Sequence, residues 1–179
     1  MQEVGVLDAM RVADLFGQIL HKTLSVRLVA ELTDQRVSLP QVHAMRHIWL
    51  HHDVLMGDLA QGLGISYPSA TNMVKRLERQ GLVARTVNPS DRREVEVRLT
   101  EKGEAICQRT EDERVARLER VLMAMHEADR DALLRGLQAF IVTAVGDHDD
   151  LALDVCLRCG LRASPTCPVA GTHILSICR

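Results

Sequence analysis

Apolar positions recur with helical spacing along most of the chain. Leu20, Leu24 and Leu28 are four residues apart, which predicts a helix over residues 6–31. Pro40 suits the first turn of a second helix, and serine and glycine residues mark the ends of further ones. The further helices are predicted at residues 40–51, 56–63, 67–80 and 101–127, and Asp129 is predicted to cap a last one that ends at Gly146.

A different pattern lies between the fourth and fifth of these helices. Residues 94–99 alternate charged and apolar side chains, which is the spacing of a half-buried strand, and residues 82–87 form a second short run. The turn-forming sequence Asn-Pro-Ser-Asp at residues 88–91 separates the two runs. The sequence therefore predicts a β-hairpin in a chain that is otherwise mainly α.

A short helix, a tight glycine turn, a second helix and a hairpin together form a winged helix-turn-helix. Residues 58–66 are DLAQGLGIS, residues 69–83 are SATNMVKRLERQGLV, residues 91–93 are DRR and residues 99–103 are LTEKG. In this order and at these spacings, the four segments closely resemble the MarR family of transcriptional regulators over residues 6–146. The resemblance implies a winged helix-turn-helix DNA-binding domain at residues 36–99. It also implies a helical dimerisation domain made of residues 1–35 and 100–146, leaving residues 147–179 as a tail outside the family pattern.

The resemblance also implies a function. The chain is expected to be a DNA-binding transcriptional regulator, a repressor in the expected case, and not an enzyme. One winged helix contacts few phosphates, so specific binding to double-stranded DNA favours a homodimer. The two-fold symmetry of a dimer predicts a near-palindromic operator, with half-sites about one helical turn apart.

The candidate DNA-contacting residues lie in the second helix of this unit and in the wing. Ala70, Val74 and Leu77 share one face of that helix, which we expect to be buried. Hydroxyl, amide and cationic side chains remain on the outer face, and these are the types that reach base edges and phosphates. Arginines at the wing tip can enter the adjacent minor groove, and by resemblance Arg93 is the wing arginine. The candidates are Ser66, Ser69, Thr71, Asn72, Lys75, Arg76, Arg92 and Arg93.

Charge and composition agree with this interpretation. The chain of 179 residues has a formal net charge of −2, but residues 66–93 contain six basic and two acidic residues. A local positive patch on an acidic chain indicates a docking face for DNA. No apolar run approaches the roughly 20 residues of a membrane span, and residues 1–4 lack the pattern of a signal peptide. We therefore expect a cytoplasmic protein with no membrane partner.

The tail carries a separate candidate site. Cys156, Cys159, Cys167 and Cys178 have the spacing C-x2-C-x7-C-x10-C. Four thiolates can hold an iron–sulfur cluster or a tetrahedral zinc ion. The single C-x2-C pair and the Cys-Pro step favour iron–sulfur ligation, with a [4Fe-4S] cluster preferred over [2Fe-2S]. A cluster would make the regulator a sensor of redox state, oxygen, nitric oxide or iron. Structural zinc and a thiol–disulfide switch remain as alternatives.

Other functions stay open at this stage. The chain could be a MarR-type repressor that responds to a small molecule and carries a structural zinc site, or, in another class, a redox enzyme or electron carrier. His43, His47 and His51 recur on one helical face, where they form either a metal site or a half-buried polar stripe. Cys107 stands alone on the long predicted helix, where an inert buried thiol is expected.

Overall fold

The computed structural model describes residues 5–33, 37–52, 54–87 and 94–146, together with Cys167. Three of the predicted metal ligands, Cys156, Cys159 and Cys178, lie outside these residues. The predicted wing-tip residues Asp91, Arg92 and Arg93 also lie outside them.

The described residues form seven α-helices and a small sheet. An N-terminal helical segment consists of α1 (Val6–His21), a π-helical turn (Lys22–Val26) and α2 (Arg27–Leu32). It is followed by α3 (Leu39–His51), β1 (Val54–Leu55), α4 (Met56–Leu63) and α5 (Tyr67–Arg79). Strands β2 (Val83–Val87) and β3 (Val95–Leu99) then lead into α6 (Glu101–Ala124) and α7 (Glu127–Val145). The predicted fold class, mainly α with a small β wing in a winged helix-turn-helix, is confirmed.

Local side-chain chemistry explains where several helices begin. The Ser38 backbone N–H donates to Gln41 Oε1 at 2.8 Å ahead of α3, which has a proline in its first turn. The Thr100 hydroxyl accepts from the Gly103 N–H at 3.2 Å and starts α6.

The predicted cap of the last helix is wrong. His126 is the N-cap residue of α7, and Asp129 lies in the first turn, where its N–H donates to the His126 carbonyl at 3.1 Å. The reason is that Met125 takes an extended conformation and ends α6 at Ala124, three residues earlier than predicted. The Asp129 carboxylate therefore lies in the first turn of α7, where negative charge stabilises the positive end of the helix dipole.

The three strands pair antiparallel in the order β1-β3-β2. The hairpin register places Val83 opposite Leu99 and Arg85 opposite Val97, as expected for a wing. The two-residue strand β1 pairs with β3 through Val54 and Val97, and the sequence analysis did not predict it. It ties the wing to the end of α3, because both Val54 and Val97 are buried in the core.

One hydrophobic core joins α3, α4, α5 and the sheet to the first part of α6. Its fully buried centre contains Met45 of α3, Leu59 of α4 and Leu77 of α5. Cys107 of α6 belongs to the same cluster. The core therefore fixes the orientation of α5 relative to both the wing and the long helix α6.

The outer helices have a different character. None of the sixteen residues of α1 is buried, and in α7 only Val145 is buried. Large apolar side chains are exposed there, including Val6 at 83% and Phe140 at 72% relative exposure. No helix in the described part of the chain is long and apolar enough to cross a bilayer.

Candidate nucleic-acid interface

The turn between α4 and α5 sets the direction of α5. Gly64 ends α4 in the left-handed conformation, with φ 64° and ψ 35°, which glycine adopts without strain. The Ile65 N–H then donates to the Ala60 carbonyl at 3.0 Å, which closes the end of α4. Ser66 follows as the N-cap of α5, and its hydroxyl oxygen accepts from the Ser69 N–H at 3.4 Å.

Helix α5 has one buried face and one exposed face, as predicted. Ala70, Val74 and Leu77 are each completely buried. The candidate contact residues Ser66, Ser69, Asn72, Lys75 and Arg76 are exposed on the outer side. The structure therefore brings these five candidates together on one surface, which we call the α5 face.

Thr71 differs from the other candidates on α5. Its side chain is partly buried, and its hydroxyl donates to the Tyr67 carbonyl at 2.9 Å. The Ser66 and Ser69 hydroxyls lie 2.8 Å apart and hydrogen-bond to each other. The amide of Asn72 and the cations of Lys75 and Arg76 are thus the longest exposed polar groups of the α5 face.

The positive patch contains an internal ion pair that the sequence analysis did not predict. Arg85 of β2 lies 2.5 Å from the carboxylate of Glu78 on α5, Nη2 to Oε2. The exposed cations on α5 are Lys75, Arg76 and Arg79. The charge that faces solvent beside α5 therefore comes from this helix more than from β2.

The start of α6 is joined to the end of α5. The Thr100 hydroxyl donates to the Gly81 carbonyl at 2.7 Å, and the Lys102 ammonium donates to the Gln80 carbonyl at 3.2 Å. Gly103 packs so closely that a Cβ atom there would lie 2.1 Å from the Leu82 carbonyl oxygen. Sequence reasoning missed this junction, although a lysine that can reach the C-terminal carbonyls of a helix is a recognised signal.

A cavity of about 440 Å³ lies among the N-terminal helical segment, α3, the end of α4 and α6. Apolar residues such as Leu24, Val42 and Leu63 form much of its wall. Its charged lining consists of Arg46, Arg114 and Glu111, whose carboxylate lies 3.3 Å from Arg46 and 3.5 Å from Arg114.

The three histidines of α3 do not act as a set. His47 is buried with its ring against Gly62, where a Cβ would lie 2.2 Å from His47 Cε1, while His43 and His51 are exposed. The rings of His47 and His51 are 4.4 Å apart. Within the described residues, no group of three His, Cys, Asp or Glu side chains has the arrangement of a metal site. These contacts favour the polar-stripe interpretation of the histidines.

The pKa values of His43, which lines the cavity, and of Cys107, which lies in the core, are shifted from their ordinary values. Partial burial at the cavity lowers the pKa of His43 below its ordinary value of 6.5, and electrostatic repulsion by Arg46, His21 and Arg114 lowers it further. Burial also raises the pKa of the Cys107 thiol to about 12. Cys107 is therefore a core thiol without thiolate character at neutral pH.

Comparison with known proteins identifies relatives of this fold. Residues 37–95 match the model of the MarR family. The uncharacterized HTH-type transcriptional regulator YfiV of Bacillus subtilis is 29% identical over 109 residues, which are 61% of this chain and 68% of that protein. The organic hydroperoxide resistance transcriptional regulator of the same organism is 30% identical over 76 residues, which are 42% of this chain and 52% of that protein.

Solved structures share the architecture over most of the chain. RV1404 from Mycobacterium tuberculosis superimposes with a TM-score of 0.71 at 27% identity, covering 79% of this chain and 95% of that one. A MarR family protein from Bacillus stearothermophilus gives 0.67 at 26% identity, covering 81% and 99%. FabT from Streptococcus pneumoniae, solved in complex with DNA, shares the fold with a TM-score of 0.64 at 24% identity, covering 78% and 99%.

The relatives named by these matches are transcriptional regulators, which confirms the expectation that this chain is not an enzyme. Taken together, these comparisons show that residues 37–95 are similar to the MarR family and that the chain shares the winged helix-turn-helix architecture of transcriptional regulators.

Proposed function

We propose that the chain represses transcription by binding a near-palindromic operator as a homodimer. The observation that carries the proposal is the α5 face, where polar and cationic side chains stand opposite a fully buried face. A helix of this kind fits the major groove, and its amide and cationic groups match base edges and phosphates. The complex of FabT with DNA supports the same use of this fold.

The homodimer is supported by the exposed apolar side chains of the outer helices. α1 carries Val6, Leu15 and Ile19 at 58% exposure or more, and α7 carries Phe140 at 72%. Large contiguous apolar surfaces on a folded protein mark interaction sites. A second copy would cover them symmetrically and place two α5 helices on one face of the duplex.

The test of DNA binding begins with selection of duplexes from a random pool by the full-length protein. The selected site and a scrambled duplex of the same composition then serve as probes in fluorescence anisotropy. Asn72→Ala is expected to cost about 1–3 kcal/mol on the selected site and little on the scrambled one, because an amide reads base edges. Lys75→Ala is expected to weaken both duplexes and to reduce the salt slope by about 0.9, since it removes one phosphate contact.

Arg109→Ala is the matched control, because Arg109 is an exposed cation of α6, outside the α5 face and outside the apolar surfaces of α1 and α7. It is expected to leave both affinities unchanged. A selection that enriches no sequence, or an Asn72 variant that weakens both duplexes equally, would contradict sequence-specific binding through α5.

We also propose that the C-terminal cysteines hold an iron–sulfur cluster, [4Fe-4S] in preference to [2Fe-2S]. The support is the donor set, four thiolates at C-x2-C-x7-C-x10-C, which suits iron–sulfur ligation and, as the alternative, zinc. Cys156, Cys159, Cys167 and Cys178 would hold the cluster. A bound cluster would supply sensitivity to redox state, oxygen, nitric oxide or iron, and its loss would change operator affinity.

The cluster proposal is tested on protein purified without oxygen, by an absorption spectrum with iron, sulfide and zinc assays on the same sample. Stoichiometric iron and sulfide with a chromophore that Cys159→Ser abolishes are the expected results. Cys107→Ser is the matched control, and it should keep the chromophore because Cys107 is buried in the core. Colourless protein with one bound zinc ion would contradict the cluster proposal and support a structural zinc site.

A second candidate function is a response to a small molecule, and the cavity favours it. Its apolar wall and the net positive charge of Arg46 and Arg114 with Glu111 suit a small aromatic carboxylate. Benzoate is a suitable probe, and it is expected to raise the melting temperature and weaken binding to the selected duplex. Arg114→Gln should remove both effects, and their persistence in this variant would exclude the cavity as the binding site.

A further inference from the structure

In addition to its ladder with β3, the wing strand β2 is anchored through the side chains of Val83 and Arg85. Val83, its first residue, is buried, whereas the next four residues are exposed. Beyond Val83, Arg85 reaches from the strand to Glu78 on α5, with 2.5 Å between Nη2 and Oε2. The side chains of Arg85 and Glu78 are only 31% and 36% exposed, so the pair is partly withdrawn from solvent.

The positions of these two residues couple the two parts of the interface. Glu78 lies three residues after Lys75, so it stands next to the α5 face on the same helix. Arg85 lies opposite Val97 in the ladder, and Val97 is buried in the core. The ion pair therefore links the helix that carries the candidate base contacts to the strand that leads to the wing tip.

The link matters because a helix and a wing must fit the duplex at the same time. Binding groups have to be held within about 0.5 Å and 10–20° of their working geometry. Four of the five β2 side chains are exposed, so beyond Val83 the angle between β2 and α5 depends on the ladder with β3 and on the pair of Arg85 with Glu78.

We propose that Glu78 and Arg85 are positioning residues for DNA recognition, which set the angle between the wing and α5. This inference rests on the proposed function. It makes an unusual claim about charge: a carboxylate beside the DNA-binding surface strengthens operator binding, although it repels phosphate.

The sign of one mutational effect separates this proposal from its rivals. A simple surface carboxylate near DNA weakens binding, so its removal strengthens binding, most visibly at low salt where screening is weak. A carboxylate that positions the wing has the opposite effect. An arginine that contacts phosphate lowers the salt slope by about 0.9 when it is removed, whereas a positioning arginine leaves the slope unchanged.

The experiment measures binding of the full-length protein to the selected duplex at about 50 mM and about 200 mM salt. Glu78→Ala is expected to weaken binding about fivefold, the equivalent of roughly 1 kcal/mol for a partly buried pair. Arg85→Gln should weaken it to a similar extent with an unchanged salt slope. The exchange Glu78→Arg with Arg85→Glu keeps the net charge and is expected to recover most of the loss.

Asp58→Asn serves as the control, because Asp58 is an exposed carboxylate of α4 in the same unit. Its removal should leave operator binding unchanged or strengthen it. Stronger or unchanged binding by Glu78→Ala, or a reduced salt slope without recovery in the exchange, overturns the proposal. Thermal melts verify that each variant is folded. Alanine suits helix α5, and an Arg85→Gln variant tests the pair even if a Glu78 variant unfolds.

The outcomes also separate this inference from the proposed function. If the wild-type chain enriches no operator, the proposed function fails and the positioning role fails with it. If the wild-type chain binds its selected duplex and Glu78→Ala does not weaken that binding, only the positioning role fails.

Discussion

Replacing Gly103 by alanine tests how tightly α6 is joined to the end of α5. An added Cβ would lie 2.1 Å from the Leu82 carbonyl oxygen, while ordinary contact begins at 3.4 Å, so the two groups must separate by about 1.3 Å. The opposing group is backbone and cannot rotate away. The same oxygen accepts the Thr100 N–H at 3.1 Å, so the displacement also stretches the hydrogen bond that leads into α6.

The expected cost follows from opposing contributions. Overpacking a close contact costs about 1–3 kcal/mol, and weakening the Thr100 hydrogen bond adds about 0.5–1.5 kcal/mol. Alanine returns up to about 1 kcal/mol through its higher helix propensity. We expect Gly103→Ala to lower the free energy of unfolding by about 1–3 kcal/mol, within the range of measured core substitutions.

The assay is urea denaturation followed by circular dichroism at one fixed protein concentration, because the stability of the proposed dimer would depend on concentration. Gly57→Ala is the matched control, since Gly57 lies in α4 with nothing within 4 Å of an added Cβ. It should leave the free energy of unfolding unchanged or raise it by up to about 1 kcal/mol. Equal stabilisation by both substitutions would refute the close packing of α6 on Leu82.

Further predictions concern the titratable groups around the cavity and the core. Because the pKa of His43 lies below 6.5 in the folded chain, its contribution to stability is present above pH 6.5 and is lost as pH falls towards the folded pKa. In denaturation experiments across this range, the free energy of unfolding should therefore fall less steeply with falling pH in His43→Gln than in the wild type. Equal slopes for the two proteins would contradict this prediction. Because Cys107 is buried in the core and burial raises its pKa to about 12, a variant that keeps only this cysteine should react with a thiol reagent no faster than it unfolds. Rapid labelling of the native variant would show that the thiol is accessible. Substitution of Gly62 by alanine forces the His47 ring to move from a Cβ at 2.2 Å, which is expected to cost about 1–3 kcal/mol in the same denaturation assay.

The sequence was a good guide wherever a boundary depends on neighbouring residues. Gly64 and Ser66 mark the turn into α5, and Thr100 marks the start of α6, because glycine conformation and side-chain capping are local properties. The inward face of α5 was predicted for the same reason, since helical spacing alone places Ala70 and Val74 together.

Features that depend on distant partners could not be predicted in this way. Strand β1 has two residues, too few for an alternating pattern, and exists because Val54 finds a partner in β3. Arg85 and Glu78 counted as separate charges in the sequence, and only the tertiary fold brings them within 2.5 Å. The closeness of Gly103 to Leu82 is likewise a property of the packed structure.

The π-helical turn between α1 and α2 connects the two helices and also rotates α1 relative to α2. Arg117 of α6 donates to the Thr23 carbonyl within the turn at 3.2 Å and also pairs with Glu31 beyond it. A π-turn accommodates one more residue than an α-helical turn, and one residue corresponds to about 100° around a helix axis. The extra residue therefore rotates the faces of α1 relative to those of α2 within one continuous helical segment. Its second part directs Leu28 and Val29 into the protein, while its first part presents its apolar side chains outward. Removing a single residue from the turn would swing the whole outer surface of α1 around its axis without altering a side chain of that surface.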